Sequence, residues 1–256
     1  MKVLEMFRLQ GKKALVTGGS SGIGKRVALA YAQAGAQVAI VSRQAAVLAA
    51  VAQELAAACG ARVIAVPADV TQPAEVNRMV ATVVRELGGI DIAVCNAGIV
   101  SLKGLEEMSL EEFASIQNTN VTGVFLTGQA CARAMIKQGK GGVIINTASM
   151  SGHVINIPQK EGHYCASKAA VIHLTKAMAV EFAPHGIRVN SVSPGYILTE
   201  LVEPLTDYHK IWETKIPLGR LGRPEELMGL YLYLASEASS YMTGTDIVID
   251  GGYTCV

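Results

Sequence analysis

The sequence predicts an α/β fold: an open sheet of about seven parallel strands with helices packed on both faces. Three observations carry this expectation. Short β-branched runs alternate with longer Ala- and Leu-rich segments of helical period along all 256 residues. Several of the short runs are apolar almost without interruption, the mark of strands covered on both faces. No linker, low-complexity tract or internal repeat divides the chain, so residues 1–256 read as one domain.

The first strand is placed at 13–17 (KALVT), followed by a glycine-rich turn and a helix over 23–34. A second strand at 36–42 (AQVAIVS) leads into the Ala-rich segment 44–58. That segment contains Gln53 and Glu54 and is too short and too weakly apolar to span a bilayer. A third strand at 62–67 precedes a helix over 73–87, and a fourth at 90–95 precedes a helical pattern over 111–137. Strands at 142–148, 187–193 and 245–250 complete the sheet. Right-handed crossovers bring the carboxyl ends of such strands to one edge, where sheets of this kind bind ligands. Val121–Ile136 and Ala166–Phe182 are apolar nearly all round. A helix without a polar face has to be buried, and in an outer layer a second copy of the chain can bury it, so a homo-oligomer is expected.

Composition excludes several classes. Half of the residues are apolar, 17% are charged, and the formal net charge is +1 with the basic residues scattered. No electrostatic footprint for nucleic acid or an anionic membrane follows. The five cysteines form no CxxC and no zinc-like spacing, so reduced thiols and no metal site are expected. The first thirteen residues lack an apolar secretory core, and the cytoplasm is the expected compartment.

Between the first strand and its helix stands Thr17-Gly18-Gly19-Ser20-Ser21-Gly22-Ile23-Gly24, a GxxxGxG pattern. Glycines close the turn and admit a pyrophosphate to the backbone. The helix end supplies free N–H groups and a positive dipole, and Ser20 and Ser21 add hydroxyls. Glycines also simply make tight turns; their place between a first strand and a first helix is what points to a Rossmann-type, doubly wound dinucleotide fold. The second strand ends at Ser42-Arg43 with no acidic residue at 41–44. A carboxylate there would grip a ribose 2′-hydroxyl, whereas Arg43 can pair with a 2′-phosphate, so NADP(H) is expected over NAD(H). A solvated surface arginine is the alternative.

Seven short motifs follow in order: TGGSSGIG at 17–24, ADV at 68–70, CNAG at 95–98, NTNVTG around Asn120, NTASMSG around Ser149, YCASK at 164–168 and SPGYILT at 193–199. Together, over nearly the whole chain from about Gln10, they resemble the short-chain dehydrogenase/reductase family. The resemblance implies a catalytic tetrad of Asn120, Ser149, Tyr164 and Lys168, and adenine-side contacts from Asp69 and Val70. It further implies that Asn96, Ala97 and Gly98 line the cofactor cleft, that Pro194, Gly195, Ile197 and Thr199 form the nicotinamide-side loop, and that the assembly is a homotetramer. Ser151 competes with Ser149; Ser149 is preferred because it follows Asn146 by three residues, as the motif has it.

Tyr164 and Lys168 lie four apart and so share a helix face. A free tyrosine has a pKa of about 10, and a neighbouring ammonium together with a cationic nicotinamide would stabilise its phenolate. Tyr164 can then donate a proton to a carbonyl oxygen or take one from an alcohol, while Ser149 steadies the developing charge. The resemblance gives Lys168 the nicotinamide ribose as a second partner and Asn120 an ordered water. His153 and His163 lack metal-ligand spacing, and no GxSxG surrounds any serine. Both histidines, with Gln159 and Glu161, read as loop residues with an outside claim on substrate; Cys165 reads as packing. Residues 196–216, which include Trp212, the only tryptophan, lie where a substrate lid would. His153 and Trp212, with Ser149 and Tyr164, are the candidate substrate contacts, with Trp212 read equally as an anchor of the lid to the body.

Within the family, 147–159, 173–201 and 231–254 are most similar to polyol dehydrogenases and ketose or carbonyl reductases, of the mannitol dehydrogenase and sorbose or xylulose reductase kind. The expected substrate is therefore a small alcohol or carbonyl. A 3-oxoacyl thioester reductase is the alternative enzyme, and a non-catalytic NADP(H)-binding redox-sensing module the alternative of another class.

Overall fold

The computed structural model describes residues 2–256. Seven strands form one parallel sheet: β1 (Lys13–Thr17), β2 (Gln37–Ser42), β3 (Val63–Pro67), β4 (Ile92–Cys95), β5 (Gly142–Thr147), β6 (Ile187–Pro194) and β7 (Asp246–Ile249). Their order across the sheet is 3-2-1-4-5-6-7. The order reverses between β1 and β4, and a crevice opens at the carboxyl ends of the strands there. The glycine turn stands on one side of that crevice and the CNAG motif on the other.

Alternation along each strand builds two cores. Leu15, Ala39, Val41, Ala93, Cys95 and Ile144 face one side. There they meet α3 (Pro73–Leu87), α5 (Gly123–Gln138) and α6 (Gly162–Phe182). Ala14, Val16, Val38, Ile40, Ile92 and Val94 face the other side, against α1 (Gly22–Gln33), α2 (Ala45–Cys59) and α8 (Glu225–Ala235). Both faces are covered, which is why the strands read as apolar runs. The remaining helices are α4 (Leu110–Gln117) and α7 (Thr206–Glu213). No helix of the described residues is long and apolar enough to cross a membrane.

The structure departs from the sequence expectation at 111–137. A capping box starts α4: the Ser109 side chain accepts from the Glu112 N–H at 3.2 Å, and Glu112 Oε2 accepts from the Ser109 N–H at 2.9 Å. One turn of π-helix, Asn118–Thr122, then separates α4 from α5. π-Turns inside helices cluster at functional positions, and this one carries Asn120. The segments α7 and α8 are helices that the alternation of strands and helices left unassigned.

Candidate active site

The glycine turn brings backbone to the crevice without side chains in the way. A Cβ on Gly24 would lie 2.2 Å from the Gly18 carbonyl oxygen, and one on Gly18 would lie 2.8 Å from Asn96 Nδ2. Asn96 ties this turn to the end of β4: its Nδ2 donates to the Thr17 carbonyl at 3.0 Å. Thr17 Oγ1 accepts from the N–H groups of Asn96 and Ala97 at 2.9 and 3.1 Å. The N-terminus of α1 is an anion site by construction. Glu200 Oε2, from the segment after β6, accepts from the Gly22 N–H at 2.9 Å. A carboxylate thus already sits where a phosphate would, and the turn fits a pyrophosphate.

Two adjoining cavities share this turn. One, of 330 Å³, is lined by Gly18, Ser21, Gly22, Ile23, Asn96 to Ile99, Ser149, Tyr164, Lys168, Pro194, Gly195, Ile197 and Thr199. The other, of 310 Å³, is lined by Ser20, Arg43, Asp69, Val70 and Thr119, together with residues of the turn. Arg43 is exposed and has no carboxylate within ion-pair distance among the described residues. Asp69 accepts from the Thr71 N–H at 2.9 Å and the Thr71 hydroxyl at 2.7 Å, and these bonds hold its carboxyl below its ordinary range. The structure thus gathers the expected cofactor residues on the walls of one long cleft.

Ser149 follows β5, and Tyr164 and Lys168 share one face of α6. Lys168 is 4% exposed. Its Nζ donates to the Thr147 carbonyl at 2.9 Å and lies 5.4 Å from the centroid of the Tyr164 ring. Burial pulls its pKa down to about 8. Tyr164 is pushed above its ordinary value by burial first and by the nearby Glu161 carboxylate, against a smaller opposing pull from the Ser149 hydroxyl. Asn120 is fully buried and clamps the loop after β4. Its Oδ1 accepts from the Ile99 N–H and its Nδ2 donates to the Ile99 carbonyl, each at 2.9 Å, while Nδ2 also reaches Ser167 Oγ at 3.0 Å.

Two candidate substrate contacts stand elsewhere. His153 turns away from the cleft: its Nε2 lies 2.7 Å from Asp246 on β7, and Asp246 is also bonded by the hydroxyls of Ser191 and Ser193. Trp212, 1% exposed, is stacked against Tyr196 at 4.1 Å and Tyr208 at 5.4 Å, and its Nε1–H donates to Gln159 at 3.0 Å. It anchors α7 to the body. His163 is buried at the start of α6 with neither ring nitrogen bonded among the described residues. Ser151 does not line the cleft; it lies behind Ser149, with Glu161 beyond it. The sequence does not show the contact between Ser151 and Glu161, since ten residues separate them and a folded-back loop brings them together.

Among the described residues no cluster of side chains could hold a metal ion. The family profile described as enoyl-(acyl carrier protein) reductase matches residues 18–254. Sorbose reductase of Candida albicans is 44% identical over 99% of this chain and 90% of its own. The probable NADP-dependent mannitol dehydrogenase of Yarrowia lipolytica is 43% identical over 99% of this chain and 91% of its own. A short-chain type dehydrogenase/reductase from Mycobacterium marinum, known as a crystal structure, superposes with a TM-score of 0.98 at 69% identity, each chain covered completely. The motifs, the strand order and these likenesses agree, and the chain is an oxidoreductase of the short-chain dehydrogenase/reductase family.

Proposed function

We propose that this chain is an NADP(H)-dependent oxidoreductase that interconverts a ketose or small ketone with the secondary alcohol of a polyol. The observation that carries the reading is the convergence of Ser149, Tyr164 and Lys168 on one wall of a cleft that also holds the glycine turn. The names of the sorbose reductase and mannitol dehydrogenase relatives support the substrate class. The second of those names, with the unpaired Arg43, supports NADP(H) over NAD(H).

Gly18, Ser20 to Gly24, Asn96 to Gly98, and Pro194, Gly195, Ile197 and Thr199 would hold the cofactor, with Arg43, Asp69 and Val70 at its adenosine end. Bound there, the nicotinamide supplies or accepts the hydride. Ser149 offers its hydroxyl to the substrate oxygen and steadies charge as it develops. Tyr164 gives that oxygen its proton in reduction and removes it in oxidation. A phenol that burial keeps protonated is a competent acid at neutral pH; the oxidative direction needs the cationic nicotinamide to bring it down. Lys168, held by Thr147, keeps an ammonium under the ring, and Asn120 fixes the loop that closes this end of the cleft.

The test is NADPH oxidation against ketoses, small prochiral ketones and an acetoacetyl thioester, repeated with NADH. Turnover of ketoses and ketones is expected, and conversion of the thioester alone would overturn the reading. Tyr164→Phe should abolish turnover, by on the order of a thousandfold or more, while NADPH binding followed by fluorescence persists.

A further inference from the structure

A chain of hydroxyls leads out of the cleft wall to a carboxyl group. Ser149 Oγ donates to Ser151 Oγ at 3.0 Å, and Ser151 Oγ donates to Glu161 Oε1 at 3.4 Å. The Ser151 N–H, donating to Ser149 Oγ at 3.1 Å, holds the two serines together. All three residues are at least nine-tenths buried: Ser149 is 7% exposed, Ser151 5% and Glu161 8%. Glu161 is the N-cap of α6, and its side chain makes no capping bond. Its carboxyl is spent on Ser151 and Gln159 instead.

We infer that Glu161 is a positioning residue that, through Ser151, sets which way the Ser149 hydroxyl points and thereby couples carbonyl reduction to its own protonation. The inference rests on the hydride-transfer reading of the site. A carboxylate only accepts, so it draws the Ser151 proton toward itself, and Ser151 in turn draws the proton of Ser149. The Ser149 donor is then committed away from the substrate oxygen. A protonated Glu161 donates to Ser151, Ser151 donates to Ser149, and the Ser149 proton is free to point into the cleft. The only covalent change is the proton that Glu161 takes up from solvent; the hydroxyl hydrogens of Ser149 and Ser151 then rotate together.

Burial pushes the Glu161 carboxyl up to about 7, so both states are reached near neutrality. The titratable groups that feel its charge are Tyr164 and Cys165 on α6 and Tyr196 at the end of β6. The same charge raises Tyr164. Lys168 faces Tyr164 one turn further along α6, and the adjacent Lys160 is turned outward to Glu106.

The experiment is kcat/KM for reduction of the best carbonyl substrate of the panel above with NADPH, from pH 5.5 to 9. The wild type should lose activity on the order of tenfold as pH rises through about 7, as the donor to the developing oxyanion is withdrawn. Glu161→Gln, an uncharged side chain whose amide can donate to Ser151, should hold the acid-side activity through that range. Ser151→Ala, which cuts the chain, should also remove the step, and it decides the matter if the Gln variant does not fold. A step near pH 7 that survives both variants, or a uniform loss at every pH in Glu161→Gln, overturns the inference. A wild type that reduces a carbonyl with a flat profile through pH 7 refutes the hydroxyl chain alone. A wild type that reduces none of the panel refutes the hydride-transfer reading.

Discussion

The proposed preference for NADP(H) rests on the Arg43 side chain. It is exposed at the end of β2, beside Asp69 and Val70 on the wall of the second cavity. Asp69 cannot answer its charge at ion-pair distance, because its carboxyl is folded back onto Thr71. The Arg43 charge reaches Asp69 at longer range and helps to lower that carboxyl, but no carboxylate pairs with it at ion-pair distance among the described residues, which leaves the guanidinium open to a bidentate phosphate contact. Arg43→Ala should therefore lower kcat/KM with NADPH by roughly 10- to 100-fold and leave NADH nearly unchanged, the size of one lost charge-assisted pair. A steady-state comparison of the two cofactors checks it, and an unaltered preference ratio counts against the assignment. Asn120 makes the residue-scale case for a structural contribution. Its side chain bonds twice to Ile99 and once to Ser167. Asn120→Ala leaves the N–H and the carbonyl of Ile99 without their partners, and about 1–3 kcal/mol of stability should go with them. A thermal melt reads that loss independently of turnover.

At the scale of elements, how far the sequence could be read depended on whether a feature is local. The central strands β1, β2 and β4 were legible because each is covered on both faces and so carries a near-continuous apolar run, while the others were placed by their β-branched residues and their alternation with helices. The glycine turn was legible because its spacing and its place between β1 and α1 are both fixed by the backbone. Gly24 shows the constraint at its tightest, since any side chain there would run into the Gly18 carbonyl. Gly24→Ala should therefore splay the turn, raising the Kd for NADPH at least tenfold and lowering the melting temperature; a variant that binds cofactor as the wild type does would contradict this. The π-turn at Asn118–Thr122 was not legible, because the extra residue is marked by a backbone bond, from the Gly123 N–H to the Asn118 carbonyl, that no side-chain spacing records. The directions of Trp212 and His153 were not legible for a related reason. Each lies in a segment that flanks the cleft, but their directions are set by Gln159 and by Asp246, 53 and 93 residues away.

For the whole molecule, a fold with two well-filled cores holds a charge-bearing group where burial resists charge. Exposed Leu110, Phe113, Phe125, Ile136 and Val180 on α4, α5 and α6 add apolar surface that a second copy could cover, and sedimentation at micromolar concentration should give a multiple of the subunit mass. The buried charge can be tested in the single chain. Lys168 has a folded pKa of about 8, below the ordinary lysine value of about 10.4 expected when unfolded. Between those two values the unfolded chain binds more protons than the folded one, so stability rises with pH through that window. Below about pH 8 both states are protonated and the full cost of burying the ammonium is present, on the order of 3 kcal/mol for a shift of that size. Lys168→Met removes the charge and keeps the bulk. It also removes the donor to the Thr147 carbonyl, which offsets about 1 kcal/mol of the gain. The net expectation at pH 7 is a variant more stable by about 2 kcal/mol, melting roughly 4–8 °C higher in a chain of this length. The advantage should shrink as pH approaches 10, and turnover should be lost throughout. Paired melts at pH 7 and pH 10 measure it: a variant less stable than the wild type at pH 7, or a gain that does not narrow with pH, would show that the ammonium is held without strain. The expected result shows a fold that sacrifices stability to keep a cation beneath its acid.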